Sequence, residues 1–153
     1  MSSAVGVVHG VLVAGAVAAA AVLSSLPPPP KALAGIGQAS AHTGPGPVTS
    51  VVDKSGYRLE FHVTPNRAAA QNVFAVRITK AGALVRGADV VATFTMLDME
   101  MPAQSLQLSE SSPGLYEHSA PVLVMVGHWG LSFDVRPRAG TPFTVLLIDR
   151  ANG

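Results

Sequence analysis

The stretch that decides the fold lies at residues 93–102 and reads Thr-Phe-Thr-Met-Leu-Asp-Met-Glu-Met-Pro. It begins with the alternation of apolar and polar side chains that is typical of a β-strand. It ends at Pro102, which has no N–H to donate to a strand ladder. The stretch holds three of the five methionines, in a chain without cysteine. The sequence therefore places thioether sulfur at the end of a strand.

Further segments on both sides of this stretch carry the same alternation and are separated by turn residues. Together they predict about seven short strands between Val51 and Ile148. The predicted strands are residues 57–63, 74–79, 90–97, 105–109, 115–125 with an interruption at Pro121, 129–136 and 143–148. This number and spacing are typical of an immunoglobulin-like antiparallel β-sandwich, so the fold class is all-β.

The first third of the chain predicts an export or anchoring segment. Residues 4–26 contain no charged side chain, and an apolar run of about 20 residues is long enough to span a bilayer. An alanine-rich core followed by a small-x-small motif ending at Ala34 is equally typical of a secretory signal. No Lys or Arg precedes the run, which favours the hypothesis that the natural start lies upstream. We expect an extracytoplasmic protein, periplasmic or at the cell surface, that is single-pass anchored or secreted.

The domain organisation follows from composition. We expect residues 1–26 to form an apolar helix that is a signal peptide or membrane anchor. Residues 27–49, which are rich in Pro and Gly, are expected to form a linker. Residues 50–150 are expected to form the sandwich domain.

Charge and residue usage exclude several functions. The net charge is +1, so there is no basic surface for nucleic-acid binding. The absence of cysteine excludes disulfides, zinc-thiolate sites and cysteine nucleophiles. The chain has no nucleophile elbow, phosphate-binding loop or zinc-protease motif. We therefore expect a protein that is not an enzyme.

The predicted topology brings candidate metal ligands to one end of the sandwich. If successive strands are antiparallel, the connections at residues 64–72, 98–103 and 126–128 emerge at the same end. Thioether sulfur and imidazole nitrogen suit copper, and Cu(I) more than Cu(II). We call Met99, Met101, Met125 and His128 the methionine rim. The complete set of candidate metal ligands is Met99, Met101, Met125, His128, Met96 and His62.

Each candidate also has an interpretation without metal. Met96 continues the apolar face of its strand and is favoured as a core residue. Met99 and Met101 would equally serve as an apolar cap on the open end of the sandwich. The two histidines would be solvated surface side chains.

Four segments resemble the YtkA-like family. These are residues 94–102, which end in Met-x-Met-Pro, residues 106–108, residues 113–116 with a Pro-Gly-x-Tyr turn, and residues 125–129, which read Met-x-Gly-x-Trp. This family includes FixH-like membrane proteins and parts of YcnJ-type copper transport proteins. The resemblance implies an immunoglobulin-like domain outside the cytoplasmic membrane, often tethered by an N-terminal helix.

Two functions remain open at this point. The resemblance implies copper binding and delivery, as part of metal ion homeostasis, or cytochrome oxidase maturation. The alternative is a non-metal interaction module that docks on a membrane transporter or oxidase. In either case the expected partner is a transporter or an oxidase assembly component, together with the membrane itself if the N-terminal helix is retained.

Overall fold

The structure, a computed structural model, describes residues 39–153. The predicted apolar helix at residues 1–26 and most of the predicted linker lie outside this range. Among the described residues there is no helix that could cross a membrane. Ten strands make up the domain: β1 (Ala41–His42), β2 (Val48–Lys54), β3 (Tyr57–Thr64), β4 (Asn72–Lys80), β5 (Ala83–Leu84), β6 (Asp89–Met96), β7 (Gln104–Ser112), β8 (Leu115–Ala120), β9 (Gly127–Arg136) and β10 (Phe143–Ala151).

The strands form because alternate side chains are apolar and become buried between two sheets. Along β3 and β6 every second side chain is buried and the ones between are more exposed. The two inner faces meet in aromatic pairs, with ring centroids 4.7 Å apart for Phe61 and Phe133 and 4.6 Å apart for Phe74 and Phe94. Removing this apolar surface from water is the main stabilising term of the fold.

The two sheets are joined by one strand. The order of neighbouring strands is β1-β10-β9-β6-β7-β8-β4-β3-β2, with β5 added on β4. Strand β7 pairs with β6 in its first half and with β8 in its second half, where the register shifts between Glu110 and Ser112. Among the ten strands, all pairings are antiparallel except that of β1 with β10. The predicted all-β, immunoglobulin-like antiparallel sandwich is confirmed.

The structure contains three strands that the sequence pattern did not predict. In β2 only Val48 and Val52 are buried, so its residues lack the regular alternation that marks the other strands. Strands β1 and β5 have two residues each, which is too short for any pattern.

The last ten residues of the predicted linker, residues 40–49, pair with or pack against the sandwich. The N–H of Ser40 donates to the carbonyl of Leu146 over 2.7 Å, and Ala41 and His42 pair with β10. Val48 is buried in the core. Residues 40–49 were assigned to the linker because of their Pro and Gly content, but the folded domain already includes them.

The predicted strand at residues 115–125 is also shorter than expected. Strand β8 ends at Ala120, and residues 121–126 form the connection to β9. Val122 and Leu123 in this connection are buried. Their apolar character therefore reflects packing of a loop against the core rather than continuation of the strand.

Candidate metal site at the methionine rim

Backbone hydrogen bonds hold the connections together at this end of the sandwich. The last residue of β6, Met96, pairs with Trp129 in β9. Beyond that pair, the N–H of Leu97 donates to the carbonyl of His128 over 2.9 Å. On the other side of the same end, the N–H of Ala69 donates to the carbonyl of Leu123 over 2.8 Å. The three connections that we expected to share one end of the domain do share it.

Asp98 binds His128 through two different groups. One carboxylate oxygen, Oδ2, accepts from the backbone N–H of His128 over 2.7 Å. The other, Oδ1, lies 3.0 Å from the imidazole Nδ1. The backbone hydrogen bond, followed by the imidazole hydrogen bond, lowers the pKa of the Asp98 carboxyl from its usual value. Asp98 is therefore an ionised acceptor at neutral pH.

This pairing decides which imidazole nitrogen is available to a ligand. An ionised carboxylate can only accept hydrogen bonds, so Nδ1 of His128 carries the proton and donates it to Asp98. In the neutral ring, Nε2 then holds the lone pair. Metal-binding histidines commonly have a carboxylate behind the ring in this way, which fixes the tautomer and orients the ring. About half of the His128 side chain is exposed.

Gly127 makes the contact between Asp98 and His128 possible. Its φ of +141° is a backbone conformation that other residues rarely adopt. A Cβ at this position would lie 2.5 Å from Oδ2 of Asp98 and 2.7 Å from Cε of Met96. Both distances are shorter than a van der Waals contact, so only glycine lets Asp98 approach the start of β9.

Trp129 anchors the connection that carries Met125. The indole ring is buried in the core, and its Nε1–H donates to the carbonyl of Met125 over 3.1 Å. The Met-x-Gly-x-Trp sequence at residues 125–129 thus has a physical role at each named position. Trp129 holds the backbone of Met125, and Gly127 admits Asp98 beside His128.

The methionines of this region differ in their exposure. Met99 is 51% exposed and Met125 is 37% exposed. Met101 is half-buried and packs against the edge of the core. Met96 is only 6% exposed and belongs to the core. The structure therefore gives Met96 the packing role that its register favoured.

The structure separates His62 from the methionine rim. His62 lies on the outer face of β3, where its Nδ1 is 3.5 Å from the Thr49 hydroxyl. His128 lies on the outer face of β9, which belongs to the opposite sheet. The core between packed sheets is about 10 Å thick. His62 was included because it is near the correct end of its strand, but its side chain points away from the other sheet.

Sequence reasoning missed the specific role of Asp98. Since β6 and β9 are antiparallel neighbours that pair Met96 with Trp129, Asp98 follows the strand end directly opposite His128. No group of three or more His, Cys, Asp or Glu side chains within residues 39–153 is arranged to hold a metal ion. A metal site here would therefore depend on methionine sulfur.

Comparison with known proteins identifies the domain. A model of the YtkA-like family matches residues 52–134, which is more than half of the chain. A search of curated proteins found no match, and a search of solved structures also found none. The matched range includes every residue of the methionine rim, as well as Asp98, Gly127 and Trp129. The chain belongs to the YtkA-like family.

Proposed function

We propose that the methionine rim is a Cu(I) site of an extracytoplasmic domain that binds copper and delivers it. The observation that carries this proposal is the contact between Asp98 and Nδ1 of His128, on a histidine side chain that is about half exposed. The ligands in the proposal are Nε2 of His128 and the sulfurs of Met99 and Met125, with Met101 at the edge of the site. Copper supplied in this way would serve copper homeostasis or the maturation of a cytochrome oxidase.

The chemistry of these side chains supports Cu(I). Thioether sulfur is a soft ligand, and imidazole is a common ligand for copper. The negative charge of Asp98, adjacent to His128, favours a nearby cation. Because Met99, Met125 and His128 are all exposed, a partner protein can reach a metal bound to them. An exposed site of this kind suits transfer of the metal better than permanent storage.

A Cu(I) competition titration tests the proposal. The full-length protein would be titrated under anaerobic, reducing conditions against a colorimetric Cu(I) chelator. We expect one equivalent of Cu(I) to bind with a Kd below about 1 μM, which corresponds to ~8 kcal/mol. Because only the neutral imidazole binds a metal, the affinity is expected to decrease on acidification.

Matched variants connect the binding to the methionine rim. Met99→Leu combined with Met125→Leu should abolish tight binding while leaving the fold intact. Met96→Leu is the control, because it replaces a buried methionine with a side chain of similar volume. If the double variant binds Cu(I) as tightly as the wild type, the site assignment is wrong. If the wild type does not compete with the chelator at all, the copper function itself is refuted.

A second candidate function rests on a different feature of the same end of the domain. Val124, Met125 and Val126 form a run of three exposed apolar side chains. Met99, which follows Asp98 in the chain, is also exposed. Exposed apolar and methionine-rich surfaces are typical of protein contacts. On this alternative the domain docks on a membrane transporter or oxidase and binds no copper.

Substitution of the two valines separates the two functions. Val124→Ser combined with Val126→Ser removes exposed apolar surface but none of the proposed ligands. Under the copper proposal, this variant keeps the Cu(I) affinity of the wild type. Under the docking alternative, it fails to co-purify with the membrane partner, whereas Met99→Leu with Met125→Leu keeps an apolar surface and still co-purifies.

A further inference from the structure

A buried polar pair, Asn66 and Asp149, lies at the end of β10 and takes no part in the proposed copper site. Both residues are 0% exposed. The Nδ2 group of Asn66 donates to Oδ1 of Asp149 over 3.1 Å. It also lies 2.9 Å from the carbonyl oxygen of Gly46 and 3.3 Å from the carbonyl oxygen of Arg150. Since all three neighbours of Nδ2 are acceptors, the orientation of the amide is fixed.

Two oxygen atoms of this pair have no hydrogen-bond donor. They are Oδ1 of Asn66 and Oδ2 of Asp149, and both are buried among the described residues. Oδ1 of Asp149, in contrast, accepts from the Thr43 hydroxyl over 3.0 Å as well as from Asn66. A buried acceptor without a donor costs about 1–3 kcal/mol, and more when it carries charge. Native structures rarely keep two such atoms in one cluster.

No positive side chain compensates Asp149. The charged or titratable side chains on the neighbouring strands and loop are those of His42 in β1, Arg67 in the loop after β3, His128, Asp134 and Arg136 in β9, and Arg150 in β10. None of these six is buried, and none of the ion pairs within residues 39–153 includes Asp149. An isolated buried carboxylate is neutralised more readily than it is kept ionised.

The two oxygens without donors are complementary if one proton is added. A carboxylic acid and a primary amide pair through two hydrogen bonds, from the amide N–H to one acid oxygen and from the acid O–H to the amide oxygen. The first bond is present, from Asn66 Nδ2 to Asp149 Oδ1. The second requires Oδ2 of Asp149 and Oδ1 of Asn66, which are the two atoms left without partners.

We propose that Asp149 is a neutral carboxylic acid in the folded protein and that its Oδ2–H donates to Oδ1 of Asn66, which makes the pair a proton-dependent latch. A Cβ added to Gly44 would lie 2.5 Å from the carbonyl oxygen of Arg150 and 2.8 Å from Oδ1 of Asp149. The chain therefore closes tightly over this side of the carboxyl group.

The latch fastens three separate parts of the chain. Thr43, which follows β1, bonds to Asp149 through its hydroxyl and accepts from the N–H of Arg150 over 3.2 Å. Asn66 belongs to the loop after β3, and its carbonyl accepts from the N–H of Asn152 over 3.2 Å. Protonation of Asp149 therefore affects how strongly Thr43 and the loop after β3 are bound to β10.

The pH dependence of the latch follows from the direction in which folding changes the pKa of Asp149. Burial raises the pKa of the Asp149 carboxyl, against the opposing effect of its hydrogen bonds with Thr43, Asn66 and the Arg150 backbone. The folded state therefore holds the proton more tightly than the unfolded state does. The resulting stability is fully present below about pH 3.9, the usual value for an unfolded aspartate. It decreases as the pH rises from there through the pKa of the folded state.

Urea unfolding of the full-length protein across a pH series tests the latch. The key variant is Asp149→Asn. Its amide N–H can donate to Oδ1 of Asn66 at any pH, whereas the wild-type carboxyl group can donate only when it is protonated. As the pH rises above about 4, we expect the urea midpoint of this variant to increase relative to that of the wild type. Asp53→Asn, at an exposed position, is the matched control and should follow the wild type. A difference that does not change with pH would overturn the proposal.

A spectroscopic measurement on the wild type supports the same test even if Asp149→Asn fails to fold. The side-chain carboxyl ¹³C signals of the aspartates are followed by NMR during a pH titration. We expect the Asp149 carboxyl to remain protonated above about pH 3.9, the usual value for an unfolded aspartate. Titration of Asp149 at or below that pH would overturn the proposal. Stability that instead requires added Na⁺ or Ca²⁺ would assign the two oxygens to a bound cation and would also overturn it.

Discussion

Replacement of Trp129 by phenylalanine tests whether the core positions the methionine rim. The indole ring is fully buried, and its N–H holds the carbonyl of Met125. Phenylalanine keeps an aromatic ring at this position but cannot donate that hydrogen bond. We expect Trp129→Phe to destabilise the domain and to loosen the connection at residues 121–126.

The magnitude follows from two contributions. The lost hydrogen bond accounts for about 1 kcal/mol. The smaller ring removes three buried heavy atoms, and at ~0.8 kcal/mol for each carbon group this adds about 2 kcal/mol. The expected loss in the free energy of unfolding is therefore about 3 kcal/mol. A typical domain has a stability of roughly 5–15 kcal/mol, so the variant should still fold.

Urea unfolding followed by circular dichroism measures this loss, because Trp129 is the only tryptophan and its fluorescence disappears in the variant. The matched control is Phe133→Leu, which alters a buried aromatic side chain on the same strand but no bond to Met125. Amide hydrogen exchange should increase at residues 124–127 in Trp129→Phe and stay near wild type in Phe133→Leu. Equal exchange in the two variants, at comparable stability, would refute the anchoring role of the indole.

Three further predictions concern the supports of the site and of the sheets. Gly127→Ala should break the contact between Asp98 and His128, since the added Cβ overlaps Oδ2 of Asp98. The ¹⁵N shifts of the imidazole, which report its tautomer, should then change. Asp98→Asn should weaken the dependence of stability on pH in the acid range. Because the pKa of Asp98 is lowered in the fold, its contribution is present above about pH 3.9 and is lost as the pH falls through the folded-state pKa. Tyr116→Phe should cost about 1–3 kcal/mol in urea unfolding, because the buried hydroxyl donates to Val85 and accepts from Ala88.

The sequence predicts most of the sheet because alternation and burial coincide in most strands. In β3, β6 and β9 the apolar positions predicted to face inward are the buried ones. In β2 the alternation fails, since Ser50 stands between the two buried valines and Val51 faces outward. The pairing of β2 with β3 depends on backbone hydrogen bonds, which side-chain patterns do not reveal.

The composition of the candidate site could be predicted only in part. Topology placed the right connections at one end, but it did not show toward which face each side chain points. His62, for example, lies on the outer face of the opposite sheet from His128. The buried pair of Asn66 and Asp149 was not predicted either, because its members lie 83 positions apart and neither belongs to a recognisable motif.

The hydrogen bonds of the methionine rim divide the proposed copper ligands into held and adaptable groups. His128 is bound by Asp98 and through its carbonyl by Leu97, and Met125 is bound by Trp129. Within residues 39–153 no hydrogen bond holds Met99 or Met101. A fixed imidazole lowers the conformational entropy that binding must remove, whereas unbranched thioether side chains adjust easily to an irregular geometry. Under the copper proposal, one fixed nitrogen combined with adaptable sulfurs lets the site accept a soft ion and release it to a partner without rearranging the fold.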